Sequence, residues 1–76
     1  MEKLKLKHIG RDSWDRPVYE SGGRLYVDVD PRSDRDPAIC TKLNNGFDSE
    51  PDTPIEAMHR FKGMEIEFVP CRDTWR

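Results

Sequence analysis

The segment PVYESGGRLYVDV, from Pro17 to Val29, predicts two antiparallel strands joined by a tight turn. The paired glycines Gly22 and Gly23 supply the positive φ angles that a two-residue hairpin turn requires. After the glycines, the side chains alternate between two faces, as they do in a strand. The segment therefore predicts a β-hairpin, to which the other strands of the sheet are expected to add.

Three further stretches predict strands around this hairpin. The first, KLKLKHI from Lys3 to Ile9, places leucines and a histidine on one face and lysines on the other. Because lysines on an exposed edge discourage unwanted pairing, we expect this strand at an edge of the sheet. The stretches AICTKL (38–43) and MEIEFV (64–69) predict two more strands, the last with its apolar side chains turned inward.

The segment TPIEAMHRF predicts a helix of about two turns between two of the strands. Thr53 is a candidate N-cap, Pro54 suits the first helical position, and Glu56 completes a capping box. Gly63 is expected to end the helix. We therefore predict an α+β fold, in which one short helix packs on a small antiparallel-rich sheet of about four or five strands.

Length and composition limit the classes of protein that the chain can belong to. A chain of 76 residues predicts a single domain, 1–76, with a thin core. It has 13 basic and 15 acidic residues, so the strong positive charge of a dedicated nucleic-acid binder is missing. Two cysteines, Cys40 and Cys71, are too few for a secreted disulfide scaffold. Without an apolar leader or membrane-spanning run, the sequence favours a cytoplasmic protein with reduced thiols.

Two similar stretches stand near opposite ends of the chain and use both of its tryptophans. They are RDSWDR, Arg11 to Arg16, and RDTWR, Arg72 to Arg76. In the structural interpretation, the two rings cap the end of a sheet that is short of core. In the functional interpretation, the rings and arginines are exposed and anchor a partner. The candidate binding residues are Arg11, Asp12, Trp14, Arg16, Arg72 and Trp75.

The position of the two copies along the chain leads to a geometric prediction. Each copy begins just after a predicted strand. If the first and last strands are parallel neighbours, their C-terminal ends meet at one edge of the sheet. We therefore predict that Trp14 and Trp75 are neighbours, and that their common surroundings form the main binding surface.

A second candidate surface is acidic. Asp48, Glu50 and Asp52 alternate in FDSEPDT, which predicts either a solvated loop or a surface for a basic partner. The loop DVDPRSDRD also holds several carboxylates, but Arg32 stands where a calcium loop needs an oxygen ligand. The arginines are more simply ion-pair partners of these aspartates, so no metal site is predicted.

The sequence contains no recognisable catalytic motif. His8 and His59 lie in neither a nucleophile nor a metal pattern, and no glycine-rich phosphate loop is present. We therefore predict no catalytic residue, no enzymatic activity and no cofactor.

Four phrases occur in an order that resembles one small uncharacterised domain: HIGRDSWDRPVYE, LYVDVDPR, FDSEPDTPI and FVPCRDTW. That domain is associated with mobile genetic elements of Gram-positive bacteria, alone or within large polyvalent proteins. The resemblance spans roughly His8 to Trp75. It implies an accessory role in the transfer, maintenance or defence of such an element, and it implies no catalytic residue.

These observations together predict a small protein-binding module that acts on an unidentified protein partner and not on a membrane. The alternative is an accessory nucleic-acid-binding domain that uses Trp14, Arg11 and Arg16 to contact bases and phosphates.

Overall fold

A computed structural model describes residues 3–61 and 63–75. Within these residues, six strands form one mixed sheet in the order β5-β4-β3-β2-β1-β6. The neighbours from β1 to β5 pair antiparallel, and β6 pairs parallel with β1. The strands are β1 (Lys3–Arg11), β2 (Pro17–Ser21), β3 (Arg24–Asp28), β4 (Ile39–Lys42), β5 (Pro51–Pro54) and β6 (Glu65–Val69).

The hairpin predicted from the paired glycines is confirmed. β2 and β3 pair antiparallel, with Tyr19 opposite Tyr26. Gly22 and Gly23 have φ angles of 59° and 81°, which are the left-handed values that the turn needs. The hairpin therefore lies in the middle of the sheet, and β1 and β4 extend it on either side.

The predicted α+β fold is wrong, because the described residues contain no α-helix. The segment expected to be helical begins with β5 and continues as two short 3₁₀ turns, Ile55–Ala57 and His59–Phe61. Met58, between the turns, is extended at φ −97° and ψ 119°, which interrupts a helical run. A third 3₁₀ turn covers Leu43–Asn45. The protein is therefore mostly β.

The predicted capping box failed because Thr53 belongs to a strand. Its backbone N–H donates a hydrogen bond to Oγ1 of Thr41 in the neighbouring strand, at 3.2 Å. A helix of only two turns is marginal on its own, so this cross-strand pairing prevails over the local capping signal. The segment still covers the sheet as expected, because Ile55 is buried and Met58 packs on the core.

The prediction that the first strand lies at an edge is also wrong. β1 lies between β2 and β6, and its lysines face acidic residues of both neighbours: Lys7 is opposite Glu20, and Lys3 and Lys5 are opposite Glu65 and Glu67. Opposite charges on facing positions of adjacent strands are favourable. The alternating lysines of β1 are therefore placed opposite the acidic residues of β2 and β6.

The core lies on one face of the sheet, beneath the segment that contains the two 3₁₀ turns. Its buried residues are Leu4, Leu6, Tyr19, Tyr26, Ile39 and Ile55, and the side chains packed over them are Met58, Phe61, Met64 and Phe68. Val18 and Val27 alternate with the tyrosines and are fully buried on the opposite face. Both faces of the central hairpin are therefore covered, and the loops on the second face carry the candidate site.

Candidate functional site

The first copy of the repeated text is organised around a buried carboxylate. The Asp12 side chain has no exposed surface, and its Oδ2 atom lies 2.6 Å from Nζ of Lys42, which is also completely buried. The Oδ1 atom accepts the backbone N–H groups of Trp14 and Arg16, both at 3.0 Å. Asp12 therefore fixes the backbone of its own loop and neutralises a lysine of β4 at the same time.

The hydrogen bonds of Asp12 also determine its charge. Burial opposes ionisation of the carboxyl group, whereas the hydrogen bonds from Lys42 and from the Arg16 N–H favour it. The favourable contributions are larger, so the pKa of Asp12 lies below its usual value. Lys42 donates a second hydrogen bond to the carbonyl oxygen of Ser49, at 2.9 Å. The pair is therefore an ion pair with further hydrogen bonds on both sides.

Lys42 was not among the residues predicted from the sequence to form the site. It is the last residue of a strand whose four residues are all buried. A lysine in such a strand needs a buried anion. That requirement could have indicated an ion pair, but nothing local in the sequence selects Asp12 from the 15 acidic residues as the partner.

Trp14 lies above this buried pair and remains 49% exposed. The guanidinium carbon of Arg16 lies 4.9 Å from the centre of the indole ring, and Nζ of Lys42 lies 5.9 Å from it. Cations at these distances are attracted to the face of the ring. The ring is therefore held by two cations and by a fixed backbone, yet half of its surface faces solvent.

The loop between β4 and β5 joins the Trp14 loop and extends this exposed area. Oδ1 of Asp48 accepts the backbone N–H of Ser13, at 3.0 Å. Phe47 packs against Gly10, where an added Cβ would lie 3.4 Å from its ring. We call the area formed by Ser13, Trp14, Phe47 and Asp48 the Trp14 surface. Its two large apolar side chains are both exposed.

Asp48 is therefore part of the same surface as Trp14, although the sequence suggested two separate ones. Glu50 and Asp52 are exposed, Glu50 in the loop and Asp52 on β5. The main-chain oxygen of Glu50 accepts the N–H of Leu43, which closes the loop. Of the three predicted acidic residues, Asp48 is the one that binds the Trp14 loop through a hydrogen bond in the described part of the chain.

The second copy of the repeated text uses its aspartate differently. The carboxylate of Asp73 accepts hydrogen bonds from Nε and Nη2 of Arg11, both at 2.8 Å, and lies 3.0 Å from Nε2 of His8. The hydrogen bonds from Arg11 hold the pKa of Asp73 below its usual value, although burial opposes this. The Asp73 backbone N–H donates to the hydroxyl of Tyr19, whose pKa is raised by burial. Asp73 therefore attaches the end of the chain to β1 and β2.

The two copies meet at one end of the sheet, as expected if β1 and β6 pair in parallel. That pairing is confirmed. The indole Nε1–H of Trp75 donates to the main-chain oxygen of Asp15, at 2.6 Å, and its backbone N–H donates to the oxygen of Pro31, at 2.7 Å. Trp75 therefore contacts the residue that follows Trp14, and the two rings have different partners. Arg76, the last letter of the second copy, lies outside the described residues.

The guanidinium group of Arg72 makes hydrogen bonds to the loop between β3 and β4 and to Asp28. Its Nη1 donates to the main-chain oxygen of Arg35 at 2.7 Å, and its Nη2 donates to the oxygen of Arg32 at 3.2 Å and to the carboxylate of Asp28 at 3.4 Å. Asp28 is fully buried and also accepts the N–H of Ala38. Arg72 therefore holds the loop between β3 and β4 in place, and Asp28 is a second buried carboxyl group that was not among the predicted site residues.

In the same loop, the predicted ion pairing is confirmed for Arg32 and Asp30, whereas Asp28 pairs with Arg72. Arg32 contacts Asp30 through two hydrogen bonds, at 2.8 and 3.1 Å. This contact lowers the pKa of Asp30 and raises that of Arg32.

The two cysteines are free and differ in exposure. Cys40 is buried, and burial raises the pKa of its thiol, whereas Cys71 is exposed. A buried thiol with a raised pKa remains protonated and is a poor nucleophile. The thiol of Cys40 is therefore shielded from solvent.

No protein-family model, curated protein sequence or solved structure matches the chain. In residues 3–61 and 63–75, no helix has the length and apolar character needed to cross a membrane.

Proposed function

We propose that the protein is a small binding module that holds a protein partner against the Trp14 surface. The observation that carries this proposal is a large aromatic ring that stays 49% exposed while a buried carboxylate fixes its backbone. Tryptophan is among the residues that most often dominate the energy of protein interfaces. Because the loop is already ordered, less conformational freedom is lost when a partner binds.

The bonding of the arginines favours a protein partner over a nucleic acid. Arg11 is bound to Asp73 and to Asp15, and Arg16 lies 3.6 Å from Asp12. These two arginines would have to contact phosphates in the alternative function, but the charge of Arg11 is already matched within the protein, and Arg16 lies against a carboxylate that it shares with Lys42. A neutralised guanidinium contributes little to the counterion release that drives nucleic-acid binding.

We further propose that the module has no catalytic activity and acts in the cytoplasm. His8 is held by Asp73, and Cys40 is buried, so two of the candidate reactive groups already have structural roles. Two free thiols are typical of proteins from a reducing compartment. An accessory role in a mobile genetic element rests on the sequence phrases described above.

The test is a capture experiment with immobilised protein and a lysate of a Gram-positive host. We expect Trp14→Ala to lose a protein that the wild type retains, and the conservative Trp14→Phe to retain part of it. Ile9→Ala, which truncates an exposed apolar side chain of β1, is the matched control and should capture the same protein as the wild type. Equal capture by Trp14→Ala would refute the proposal.

Salt and nuclease treatment separate the two candidate functions. A protein partner should remain bound after nuclease treatment and depend weakly on salt. Loss of the captured material after nuclease treatment, with a steep decrease in binding as salt rises, would support the nucleic-acid alternative.

A further inference from the structure

The two edges of the sheet differ in how well they are protected. β5 has only four residues, and Pro51 and Pro54 stand at its ends. Proline has no N–H to donate, and short edge strands discourage pairing with another chain. β6, by contrast, contains no proline within Glu65–Val69, and no strand in the described part of the chain lies along its outer side. The outer side of β6 therefore presents main-chain groups that can pair with an added strand.

β6 also exposes apolar surface at this edge. Ile66 and Val69 are 36% and 37% exposed, although both belong to a regular strand. Ile66 also lines a pocket of about 260 Å³. The other apolar residues that line this pocket include Leu4, Ile39, Ile55, Phe61 and Met64. Small-molecule pockets measure roughly 300–1,000 Å³, so this one suits an apolar side chain better than a whole ligand.

β1 already pairs with one side of β6, and its sequence indicates what kind of strand the free side of β6 can accept. In the parallel register of β1 and β6, Lys3 and Lys5 lie opposite Glu65 and Glu67. The positions between them match apolar residues with one another, because Leu4 is opposite Ile66. β6 therefore has one face that carries Glu65 and Glu67 together with Val69, and one apolar face, whereas its partner inside the sheet has one basic face and one apolar face.

We propose that the free edge of β6 is a second docking site, which takes an extended segment of a partner protein in which lysine or arginine alternates with apolar residues. The segment adds a seventh strand through main-chain hydrogen bonds. Its basic side chains lie beside Glu65 and Glu67, and its apolar side chains lie beside Ile66, with one of them entering the pocket.

Charge complementarity selects this occupant over a second copy of the same edge. Two β6 strands side by side would bring Glu65 and Glu67 of one copy close to the same residues of the other, and like charges on adjacent strands are unfavourable. Glu56, on the lining of the pocket, adds a further negative charge at the site. The site is separate from the Trp14 surface, so either proposal can fail without the other.

The test uses two short fluorescein-labelled peptides and fluorescence anisotropy. One peptide alternates lysine with valine, and the other alternates glutamate with valine. We expect the wild type to bind the basic peptide at least about tenfold more tightly than the acidic one, because the two glutamates attract the first and repel the second. Trp14→Ala should bind the basic peptide as the wild type does.

A variant in which the two glutamates of β6 are replaced by lysines provides a second test of the proposal. Glu65→Lys combined with Glu67→Lys should reverse the preference between the two peptides. Since these substitutions also place lysines opposite Lys3 and Lys5, a second measurement uses the wild type alone: the basic peptide should slow amide hydrogen exchange in β6 and not in β5. Equal affinity for both peptides, protection outside β6, or formation of a β6–β6 dimer on sedimentation would overturn the proposal.

Discussion

Asp12 and Asp73 hold the same place in the two copies of the repeated text, but their environments differ. The Asp12 side chain is completely buried, and it binds a buried lysine together with two N–H groups of its own loop. The Asp73 side chain is 25% exposed, and it binds Arg11 and lies within hydrogen-bonding distance of His8, both on β1. The same short sequence therefore has two roles. In the first copy the aspartate fixes the backbone of its own loop, and in the second it attaches the C-terminal segment to β1. The role of each aspartate depends on the cation that the neighbouring strand supplies, which is Lys42 of β4 for Asp12 and Arg11 of β1 for Asp73.

The tryptophans of the two copies also differ in exposure, but in the opposite order to the aspartates. Trp14 stands over two cations and leaves half of its ring exposed, whereas Trp75 is partly buried and uses both its indole and its backbone N–H groups. The buried aspartate therefore accompanies the exposed ring, and the more exposed aspartate accompanies the more enclosed ring. For this reason we assign binding to Trp14 and a structural role to Trp75.

The largest expected effect comes from removing the buried aspartate. Asp12→Ala leaves the ammonium group of Lys42 buried without its partner, which typically costs about 3–5 kcal/mol. Asp73→Ala breaks a partly exposed contact and should cost about 1–2 kcal/mol. The free energy of unfolding in urea, followed by circular dichroism, measures both.

The double variant Asp12→Ala with Lys42→Met provides the control for this prediction. Because it removes both buried charges, it should recover part of the stability that Asp12→Ala loses. If Asp12→Ala were no more destabilising than Asp73→Ala, the contrast between the two copies would not hold.

A smaller effect is expected from the tryptophans. Trp75→Ala removes a partly buried ring and the hydrogen bond to Asp15, whereas Trp14→Ala removes an exposed ring and its contacts with cations. We expect Trp75→Ala to lower the free energy of unfolding by about 1 kcal/mol more than Trp14→Ala does. The reverse order in the same urea assay would assign the structural role to Trp14 and weaken the proposed function.

The smallest effect concerns acid stability. The pKa of Asp73 is lowered in the folded protein, so the stability that its carboxylate contributes is fully present above the unfolded pKa of about 3.9. This contribution is lost as the pH falls below that value and through the folded pKa. Asp73→Asn should therefore reduce the slope of unfolding free energy against pH between about pH 4 and pH 2.

Asp12 is retained in this variant, and its pKa is also lowered, so part of the acid dependence should remain. An unchanged slope in Asp73→Asn would mean that the contact with Arg11 does not stabilise the folded state.

Much of the sheet could be predicted from local patterns. The hairpin turn depends on Gly22 and Gly23, and the strands β1, β4 and β6 depend on short apolar or alternating stretches; each of these elements was confirmed. The helix was mispredicted because Thr53, Pro54 and Glu56 satisfy a local capping pattern. The hydrogen bond that the backbone N–H of Thr53 donates to Thr41, a residue distant in sequence, overrides that pattern.

Most of the strands, the central turn and the two Arg-Asp-x-Trp stretches can be read from the sequence, because these features depend on residues that are close along the chain. The burial of Lys42 against Asp12, the contact between Asp73 and Arg11, and the exposure of Trp14 arise instead from the way the chain folds. These outcomes depend on which strands become neighbours. Many acidic and basic residues of the chain could have paired, and the sheet order brings only some of them within hydrogen-bonding distance.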